Sequence, residues 1–387
     1  MINHSNTKIK IKILISLIFS IALFISCGGG GGGGGSSSST ADTPNTPDTP
    51  NTPNSPVTPT FSITTIDSTG DVGWSSSLAL GSIHISYYDN TNGYLKYAYH
   101  NGTSWSTEIV DNSSDVGDYS SIAVEPDGTV HISYYDWAGE LRYATGTAGA
   151  FTTETVDSSA DMGMYSSIAV QSDGTVHICY YDADTGNLRY ARGISGAFTT
   201  EIIDDSADLN GYSSIAVESD GTVHISYYDW DNGNLKYATG TSGAFTTETV
   251  DTSGDVGDYS SIAVESDGTV HISYYDYIDV NSGHLKYATG TPGAFTTETV
   301  DASANVGDYS SIAVESDGTV HISYHDIEND TLKYATGTSG SFNSITVDES
   351  ATVGEYSSIA VESDGTVHIS YYDYIDPSNG HLKYAVK

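Results

Sequence analysis

The chain has 387 residues, of which 50 are acidic and 12 are lysine or arginine, so its formal net charge at pH 7 is −38. A field of this sign repels polyanions and favours cationic or neutral ligands. Nucleic acid is therefore excluded as a partner.

The first 27 residues have the charge order of a secretory signal. Three lysines precede an apolar run from Ile13 to Ile25, which is too short to span a bilayer comfortably. The run ends in Leu-Phe-Ile-Ser-Cys, and this segment resembles the signal peptide of bacterial lipoproteins. The resemblance implies that residues 1–27 end at a lipidated Cys27, which attaches the protein to the membrane through the lipid alone. An uncleaved anchor is the alternative, and it also places the rest of the chain outside the cytoplasm.

Residues 28–60 have the composition of a tether. Eight glycines and four serines predict a flexible coil, and six prolines then recur at every third residue. Because three residues make one turn of polyproline II, we expect a semi-rigid rod about 55 to 60 Å long from Asp42 to Thr60. Gly28 follows Cys27, and the resemblance to Gram-negative lipoproteins implies sorting to the outer membrane, in either leaflet, or display at the cell surface.

Residues 61–387 repeat one motif seven times. The hexapeptide His-Ile-Ser-Tyr-Tyr-Asp recurs with small changes at intervals of 46 to 50 residues. A period in this range, made of strand-like segments, is typical of a β-propeller. The copies begin at His84, His131, His177, His224, His271, His321 and His368.

Each repeat predicts four strands, named a to d in chain order. In the second repeat, strands a and b are the β-branched and aromatic runs Tyr119 to Glu125 and Thr129 to Asp136, joined by an Asp-Gly hairpin turn. Strands c and d are Leu141 to Thr145 and Phe151 to Asp157. Because no part of the repeats has the apolar spacing of an amphipathic helix, we expect an all-β fold.

The two ends of the repeat region complement each other. Phe61 to Asp67 has the sequence of a d strand, whereas Tyr384 to Lys387 belongs to the c strand of the last repeat. If the first strand completes the last sheet, no blade is left without its outer strand. We therefore predict a seven-bladed β-propeller of four-stranded blades, closed by the N-terminal strand.

Propeller geometry divides the charged residues between two faces. The d-to-a and b-to-c connections lie on one face, and they hold 32 of the 50 acidic residues. Each blade also carries one Lys or Arg at the start of strand c. We expect it to pair across the hairpin with the Asp that ends strand b, as Arg142 would with Asp136.

The d-to-a connections contain a motif reminiscent of calcium-binding loops. Oxygen-bearing side chains recur at alternate positions before a Gly, as in Asp-Asn-Ser-Ser-Asp-Val-Gly-Asp at 111–118. Turn capping by Asp and Ser through their own backbone is the alternative, and no other cofactor is expected. The candidate calcium ligands are Asp111, Ser113, Asp115, Asp118, Asp251, Ser253, Asp255 and Asp258.

The histidine of each repeat lies in the middle of strand b. Equivalent atoms on different blades of a ring are far apart, and no second His or Cys accompanies each one. We therefore expect core histidines that bond to neighbouring backbone, rather than a metal site.

The similarity of the repeats argues against an enzyme. Tyr259 to Asp276 and Tyr356 to Asp373 are identical, whereas catalysis usually needs unlike residues at one place. The Ser-Asp-Gly-Thr turns resemble those of sialidase-like, Asp-box propellers, which implies a glycan-active enzyme as the alternative. A sialidase would need an arginine cluster to hold a carboxylate, and the only arginines are Arg142, Arg189 and Arg192.

The seven repeats also resemble bacterial and fungal seven-bladed lectin propellers in architecture. This resemblance implies near-equivalent sugar sites around the ring and a multivalent binding or adhesion module for carbohydrate or a surface protein. The b-to-c loop varies most in length, which makes its face the candidate binding face. Aromatic side chains beside an Asp could stack on sugar rings there or only cover the blade edge, and a structural surface spacer is a further alternative. The candidate ligand-binding residues are Asp136, Trp137, Asp229, Trp230, Asp276, Tyr277, Asp373 and Tyr374.

Overall fold

The computed structural model describes residues 60–387, except Ala160, Ala207, Asn210 and Ala351. The predicted signal peptide with Cys27 and the tether as far as Pro59 lie outside the described residues. The part of the chain that the structure describes contains no helix with the length and hydropathy needed to cross a bilayer.

The described residues form 28 strands, β1 to β28, which follow the predicted a-to-d order. The a strands are β2 (Val72–Ala79), β6 (Val116–Val124), β10 (Met162–Val170), β14 (Ser213–Val217), β18 (Asp255–Val264), β22 (Val306–Val314) and β26 (Thr352–Val361). The b strands are β3 (Ile83–Asp89), β7 (Val130–Asp136), β11 (Val176–Asp182), β15 (Val223–Asp229), β19 (Val270–Asp279), β23 (Val320–Asp326) and β27 (Val367–Asp376). The c strands are β4 (Tyr94–His100), β8 (Glu140–Thr147), β12 (Asn187–Gly193), β16 (Asn234–Gly240), β20 (Ser282–Thr291), β24 (Thr331–Thr338) and β28 (Asn379–Val386). The d strands are β5 (Trp105–Asp111), β9 (Ala150–Asp157), β13 (Thr199–Asp204), β17 (Thr246–Asp251), β21 (Ala294–Asp301), β25 (Ser341–Asp348) and β1 (Ser62–Asp67).

The strands assemble into seven four-stranded antiparallel sheets, which are the blades of a seven-bladed propeller. Blades 1 to 6 use consecutive strands, from β2–β5 to β22–β25, and blade 7 has the order β26-β27-β28-β1. In blade 7, Ser62 pairs with Val386 and Thr65 pairs with Lys383. The N-terminal strand thus closes the ring, as predicted.

The a strands begin earlier than the sequence indicates. In blade 2, β6 starts at Val116 and not at Tyr119, and the pairing of β6 with β7 shifts register twice before Ser121. Tyr119 lies in the left-handed region, with φ of 51°. A Cβ on Gly117 would lie 2.5 Å from the Leu95 Cα of blade 1, so only glycine allows this close approach of two blades.

The hydrophobic core lies between neighbouring blades. Leu95 and Tyr97 from strand c of blade 1 pack against Ile122 and Ile132 from strands a and b of blade 2, and this arrangement repeats around the ring. Burying such a side chain fully contributes about 1.5 to 3 kcal/mol. Each blade therefore depends on its neighbours for stability.

The d-to-a and b-to-c connections lie side by side, and together they form what we call the loop face. The Trp137 amide of a b-to-c loop donates to the Asp115 carbonyl at 3.1 Å, and the Asn90 amide donates to the Asp71 carbonyl at 2.9 Å. These contacts place the candidate ligand-binding and calcium-binding residues on the same side of the ring.

Candidate binding surface on the loop face

The ends of the d strands link each blade to the next. Asp204 of blade 3 accepts hydrogen bonds from the Tyr227 hydroxyl at 2.7 Å and from Lys236 Nζ at 2.5 Å, both of blade 4. Burial alone raises the pKa of Asp204, but the bonds from Lys236, Ser206 and Tyr227 outweigh burial and hold the pKa below its ordinary value. We call these sets the blade clamps: Asp67–Tyr87–Lys96, Asp111–Tyr134–Arg142, Asp157–Tyr180–Arg189, Asp204–Tyr227–Lys236, Asp251–Tyr274–Lys286, Asp301–Tyr324–Lys333 and Asp348–Tyr371–Lys383.

In six of the seven clamps the cation lies nearer to the aspartate of the preceding blade than to the predicted partner, and only Lys383 lies as close to the predicted Asp373, at 3.0 Å, as to Asp348, at 3.1 Å. Arg142 Nη1 lies 3.5 Å from Asp136 in the same blade, which is the predicted pair, but Nη2 lies 3.3 Å from Asp111 in the preceding blade. The Arg142 side chain is mostly buried between the two carboxylates. These cations therefore join blades and are not displayed for a ligand.

A second tyrosine of strand b extends into the d-to-a loop of the next blade. Tyr88 donates to Asp115 Oδ1 at 2.6 Å. Blade 6 differs, because His325 replaces the tyrosine and Thr352 occupies the loop position equivalent to Asp115. The other pairs are Tyr135–Asp161, Tyr181–Asp208, Tyr228–Asp255, Tyr275–Asn305 and Tyr372–Asp71.

The candidate calcium ligands lie in separate contacts. Asp111 and Asp251 belong to blade clamps, and Ser113 and Ser253 cap them through their backbone amides. Asp115 and Asp255 accept hydrogen bonds from the tyrosine hydroxyls described above. Asp118 accepts a hydrogen bond from Ser75 Oγ at 2.7 Å, and Asp258 accepts one from the Tyr259 amide at 3.0 Å. The described residues contain no group of three or more His, Cys, Asp and Glu side chains placed to hold a metal ion. Calcium binding stays a prediction.

The repeated histidines lie in the core, but their partners are side chains and not backbone. His131 Nδ1 lies 2.6 Å from the Tyr143 hydroxyl, and Nε2 lies 2.9 Å from Glu125 Oε1. In blade 3, where neutral Gln171 replaces the glutamate, burial lowers the pKa of His177 to about 4. These histidines are part of the packing of each blade.

His325 is the exception among the histidines, since it lies among carboxylates. Its Nδ1 is 3.1 Å from Asp308 Oδ1, and its Nε2 is 4.0 Å from Asp330 and has no hydrogen-bond partner among the described residues. Burial lowers the pKa of His325, but Asp308, Glu355 and Asp330 outweigh burial and raise it to about 9. His325 therefore carries a positive charge at neutral pH, at the interface of blades 6 and 7.

Six tyrosines surround the ring axis, and Ser75 takes the seventh place. Neighbouring tyrosine rings lie 4.4 to 4.6 Å apart between centroids. They enclose a small cavity of about 130 Å³ together with the serines that follow them. Beside this cavity, burial raises the pKa of Asp118 to about 6. The tyrosines are Tyr119, Tyr165, Tyr212, Tyr259, Tyr309 and Tyr356.

The predicted aromatic ligand residues lie on the loop face. The Trp137 side chain is 50% exposed, and its ring packs edge-on against Tyr135 with 5.5 Å between centroids. Trp230 and Tyr277 contact the second tyrosine of their strands in the same way, and Tyr374 is half-buried. At four of the seven blades, an aromatic ring thus directly follows the last repeated Asp of strand b.

The aspartates that precede these rings point towards the protein. Asp136 Oδ1 accepts the Ala138 amide at 2.8 Å, and Asp229 accepts the Asn232 amide at 3.1 Å. Asp373 lies 3.0 Å from Lys383. Asp276 is partly buried, and burial raises its pKa. The structure therefore leaves the aromatic rings partly exposed, whereas three of the four neighbouring carboxylates cap turns or pair with cations.

The long b-to-c hairpins of blades 5 and 7 add an apolar component that the sequence reading did not single out. Ile278, Val280 and Ile375 are 51%, 59% and 48% exposed at their tips. The greater length of these two loops was the available signal. The tips extend the loop face beside Tyr277 and Tyr374.

Blade 1 carries a cleft that the sequence reading missed. Residues 90–93 of its b-to-c loop, Tyr94 at the start of β4 and residues 112–115 of the following d-to-a loop line an open cleft of about 520 Å³. At its floor, a Cβ on Gly93 would lie 3.1 Å from the Asp115 Cα, so the two loops are in close contact. The sequence signal is the uncharged run Asn-Thr-Asn-Gly-Tyr, which none of the other six b-to-c loops contains.

No family model matches the chain, and no curated protein matches it. Among solved structures, a variant of the Aleuria aurantia lectin in complex with alpha-methyl-L-fucoside is 12% identical, covers 73% of this chain and 96% of its own, and has a TM-score of 0.50. The polysaccharide lyase Uly1 is 11% identical, covers 80% of this chain and 88% of its own, and has a TM-score of 0.53. A protein of unknown function from Dyadobacter fermentans is 10% identical, covers 84% of this chain and 98% of its own, and has a TM-score of 0.49. At this level of identity, the likeness shows a shared propeller fold.

Proposed function

We propose that the ring is a multivalent carbohydrate-binding module that binds without turnover and is presented on a lipid-anchored tether. The observation that carries the proposal is the aromatic ring directly after the last repeated Asp of strand b in blades 2, 4, 5 and 7, which is half exposed at Trp137 and partly exposed in the other three blades. Aromatic faces suit the apolar faces of sugars, and rings repeated around one surface suit avidity. The aromatic residues are Trp137, Trp230, Tyr277 and Tyr374.

The use of the other repeated residues supports binding over catalysis. The clamp residues and the second tyrosines are engaged between blades, and the repeated histidines bond within their blades. A reaction would need unlike groups at one point of the loop face. The two structural neighbours with the higher TM-scores are a lectin in complex with a fucoside and a polysaccharide lyase, and both names refer to carbohydrate.

The setting of the ring follows from the segment before it. A lipidated Cys27 and the proline-rich tether would hold the ring away from an outer membrane, where it could meet glycans or a surface protein. Metabolic labelling with palmitate tests the anchor. Label in the wild-type chain that disappears in Cys27→Ser supports it, and an unlabelled wild-type chain overturns it.

The full chain, purified in detergent and applied to a glycan array with calcium and with EDTA, tests the binding function. We expect binding to neutral glycans and no released sugar. A variant with alanine at Trp137, Trp230, Tyr277 and Tyr374 should lose at least tenfold in avidity while each single variant loses less. Alanine is compatible with the fold at this position, because blade 3 carries Ala183 there.

Three outcomes would overturn the proposal. If the chain binds no glycan on the array, a protein partner or a structural spacer is favoured. Released or unsaturated sugar would favour a glycan-active enzyme. Undiminished avidity in the fourfold alanine variant would show that the aromatic rings are not part of the binding site.

A further inference from the structure

We propose that the cleft of blade 1 is a separate subsite for one neutral mono- or disaccharide unit. This inference rests on the proposed carbohydrate-binding function and adds a site that is built differently from the four aromatic positions. The cleft volume of about 520 Å³ is in the range of small-ligand pockets.

The first argument is the chemistry of the lining. Asn90, Asn92 and Asn112 supply amides, Ser114 supplies a hydroxyl, and Tyr94 supplies an aromatic ring. Asn112 and Ser114 are exposed, and neither side chain forms a hydrogen bond with another described residue. The amide nitrogens of Asn90 and Asn92 already donate to Asp71 and Asp89, so these two side chains offer acceptors, whereas Asn112 offers both a donor and an acceptor. Next to an aromatic ring, these groups match the alternating hydroxyls and apolar faces of a sugar.

The second argument is the charge of the lining. In a chain of net charge −38, the cleft is lined by a single carboxylate, Asp115, and its Oδ1 already accepts the Tyr88 hydroxyl at 2.6 Å. The lining contains no cation. Because a uronate or sialate would meet this carboxylate and the surrounding acidic field without a counter-charge, we infer a neutral sugar.

The third argument is that three positions at which blade 1 departs from the repeat meet in this cleft. Asn90 stands where the other blades carry Trp, Ala, Tyr or Ile, and its side chain is shorter than that of Trp137 or Trp230. Tyr94 begins strand c, where blades 3 and 4 carry Asn187 and Asn234.

The third of these positions is Ser114. The six other blades have alanine or glycine there, so a hydroxyl at this point of the d-to-a loop occurs in blade 1 alone. Unlike residues that converge on one place are the signature of a site, and the packing of the ring does not require them.

The experiment uses the full chain in detergent and separates the cleft from the aromatic positions. The probes are methyl α-L-fucoside, methyl β-D-galactoside and methyl α-D-glucoside, with sodium D-glucuronate as the acidic counterpart. Saturation-transfer NMR and calorimetry are applied to the wild type and to the fourfold alanine variant at positions 137, 230, 277 and 374. We expect the fourfold variant to retain binding of at least one methyl glycoside with one site per chain, and glucuronate not to bind.

Variants copied from other blades test the cleft residues. In the fourfold background, Tyr94→Asn and Asn90→Trp should each lower the affinity at least tenfold, and Ser114→Ala should lower it about threefold. These replacements copy residues that other blades hold at the same positions, and melting temperatures within a few degrees of the parent would confirm intact folding. Trp137→Asn in the otherwise wild-type chain is the reciprocal control, and it should leave the cleft site unchanged.

The outcomes distinguish this inference from the broader function. If the wild type binds sugars but the fourfold variant binds none, or if Tyr94→Asn and Asn90→Trp bind as well as their parent, the cleft is not a subsite and the proposed function stands. If the wild type binds no glycan or glycoside, both fail. Glucuronate binding to the cleft would overturn the neutral-sugar assignment.

Discussion

The blade clamps and the loop face use repetition in opposite ways. A clamp such as Asp204–Tyr227–Lys236 is reproduced at every blade interface, with a bond of 2.7 to 2.8 Å from the tyrosine hydroxyl to the aspartate each time and a Lys or Arg as the cation. On the loop face, by contrast, one position is Asn90 in blade 1, Trp137 in blade 2 and Ala183 in blade 3. The clamp residues join neighbouring blades, whereas the variable position lies on the loop face. In a repeat protein, the variation is therefore the better guide to a binding site.

Breaking one clamp is expected to have the largest effect on stability. Asp204→Ala leaves Lys236 buried without its carboxylate, and such a loss costs about 3 to 5 kcal/mol of unfolding free energy. Urea denaturation followed by tyrosine fluorescence measures it. The control is Glu328→Ala, an exposed acid on the b-to-c loop of blade 6, for which we expect a change within about 0.5 kcal/mol. Similar losses of unfolding free energy in Asp204→Ala and Glu328→Ala would contradict the distinction between the blade clamps and the loop face.

The interface of blades 6 and 7 sharpens the comparison, because His325 replaces a tyrosine there. Since its folded pKa of about 9 lies above the ordinary 6.5, its contribution to stability is fully present below pH 6.5 and is lost as the pH rises through 9. His325→Gln should cost about 2 kcal/mol at pH 6 and little at pH 10. Denaturation of the variant and the wild type at both pH values checks this, and a penalty that does not change with pH would refute it.

Two buried aspartates should respond to pH with opposite signs. Burial raises the pKa of Asp118 to about 6, so its ionisation opposes folding increasingly as the pH rises from about 4 through 6. Asp118→Asn keeps an acceptor for Ser75 and should stabilise the ring by about 1 to 2 kcal/mol at pH 7.5, with almost no gain at pH 4.

Asp301 is the matched comparison. Burial acts to raise its pKa, but hydrogen bonds from Lys333, Ser303 and Tyr324 lower it to about 2. Its contribution is present above the ordinary value of 3.8 and is lost as the pH falls through 2, so Asp301→Asn should destabilise at pH 7 and not at pH 2. Thermal denaturation across this range checks both variants. Stabilisation by Asp301→Asn at pH 7 would contradict the assignment.

The smallest effect is expected at Cys179, which replaces a repeated serine in a fully buried position. Its Sγ lies 3.2 Å from Ser213 Oγ, and Ser226 of blade 4 bonds Ser260 in the same arrangement. Cys179→Ser should therefore change the unfolding free energy by less than about 1 kcal/mol. Burial also raises the pKa of the thiol to about 12, so iodoacetamide should label it only after unfolding. Labelling of the native ring at the rate of a free thiol would show that the position is accessible.

The ring could be predicted from the sequence because its signals are local and repeated. The Asp-Gly turns, the alternating strands and the separated d strand at Phe61 to Asp67 together specified seven blades and their closure. The partners of single side chains could not be predicted in the same way. A carboxylate at the end of a strand, such as Asp136, gives the same sequence pattern whether it faces a ligand or caps the turn that follows.

Two of the missed features, the cleft of blade 1 and the charged His325, share a physical cause, since each arises where two blades meet. The cleft of blade 1 combines Tyr94 with Ser114, and the charged His325 depends on Asp308 and on Glu355 of the next blade. Such contacts join residues that are distant in sequence. The repeat pattern gives no signal for them, because it contains only the residues that the blades share. The anchor at Cys27 and the calcium loops remain predictions from the sequence.

The most direct test of this division measures stability and glycan avidity on the same two proteins. Asp204→Ala should lose several kcal/mol of unfolding free energy and, while folded, bind glycans like the wild type. The fourfold alanine variant of the loop face should unfold like the wild type and lose at least tenfold in avidity. The reverse pattern, or equal effects of both variants on both quantities, would contradict the account.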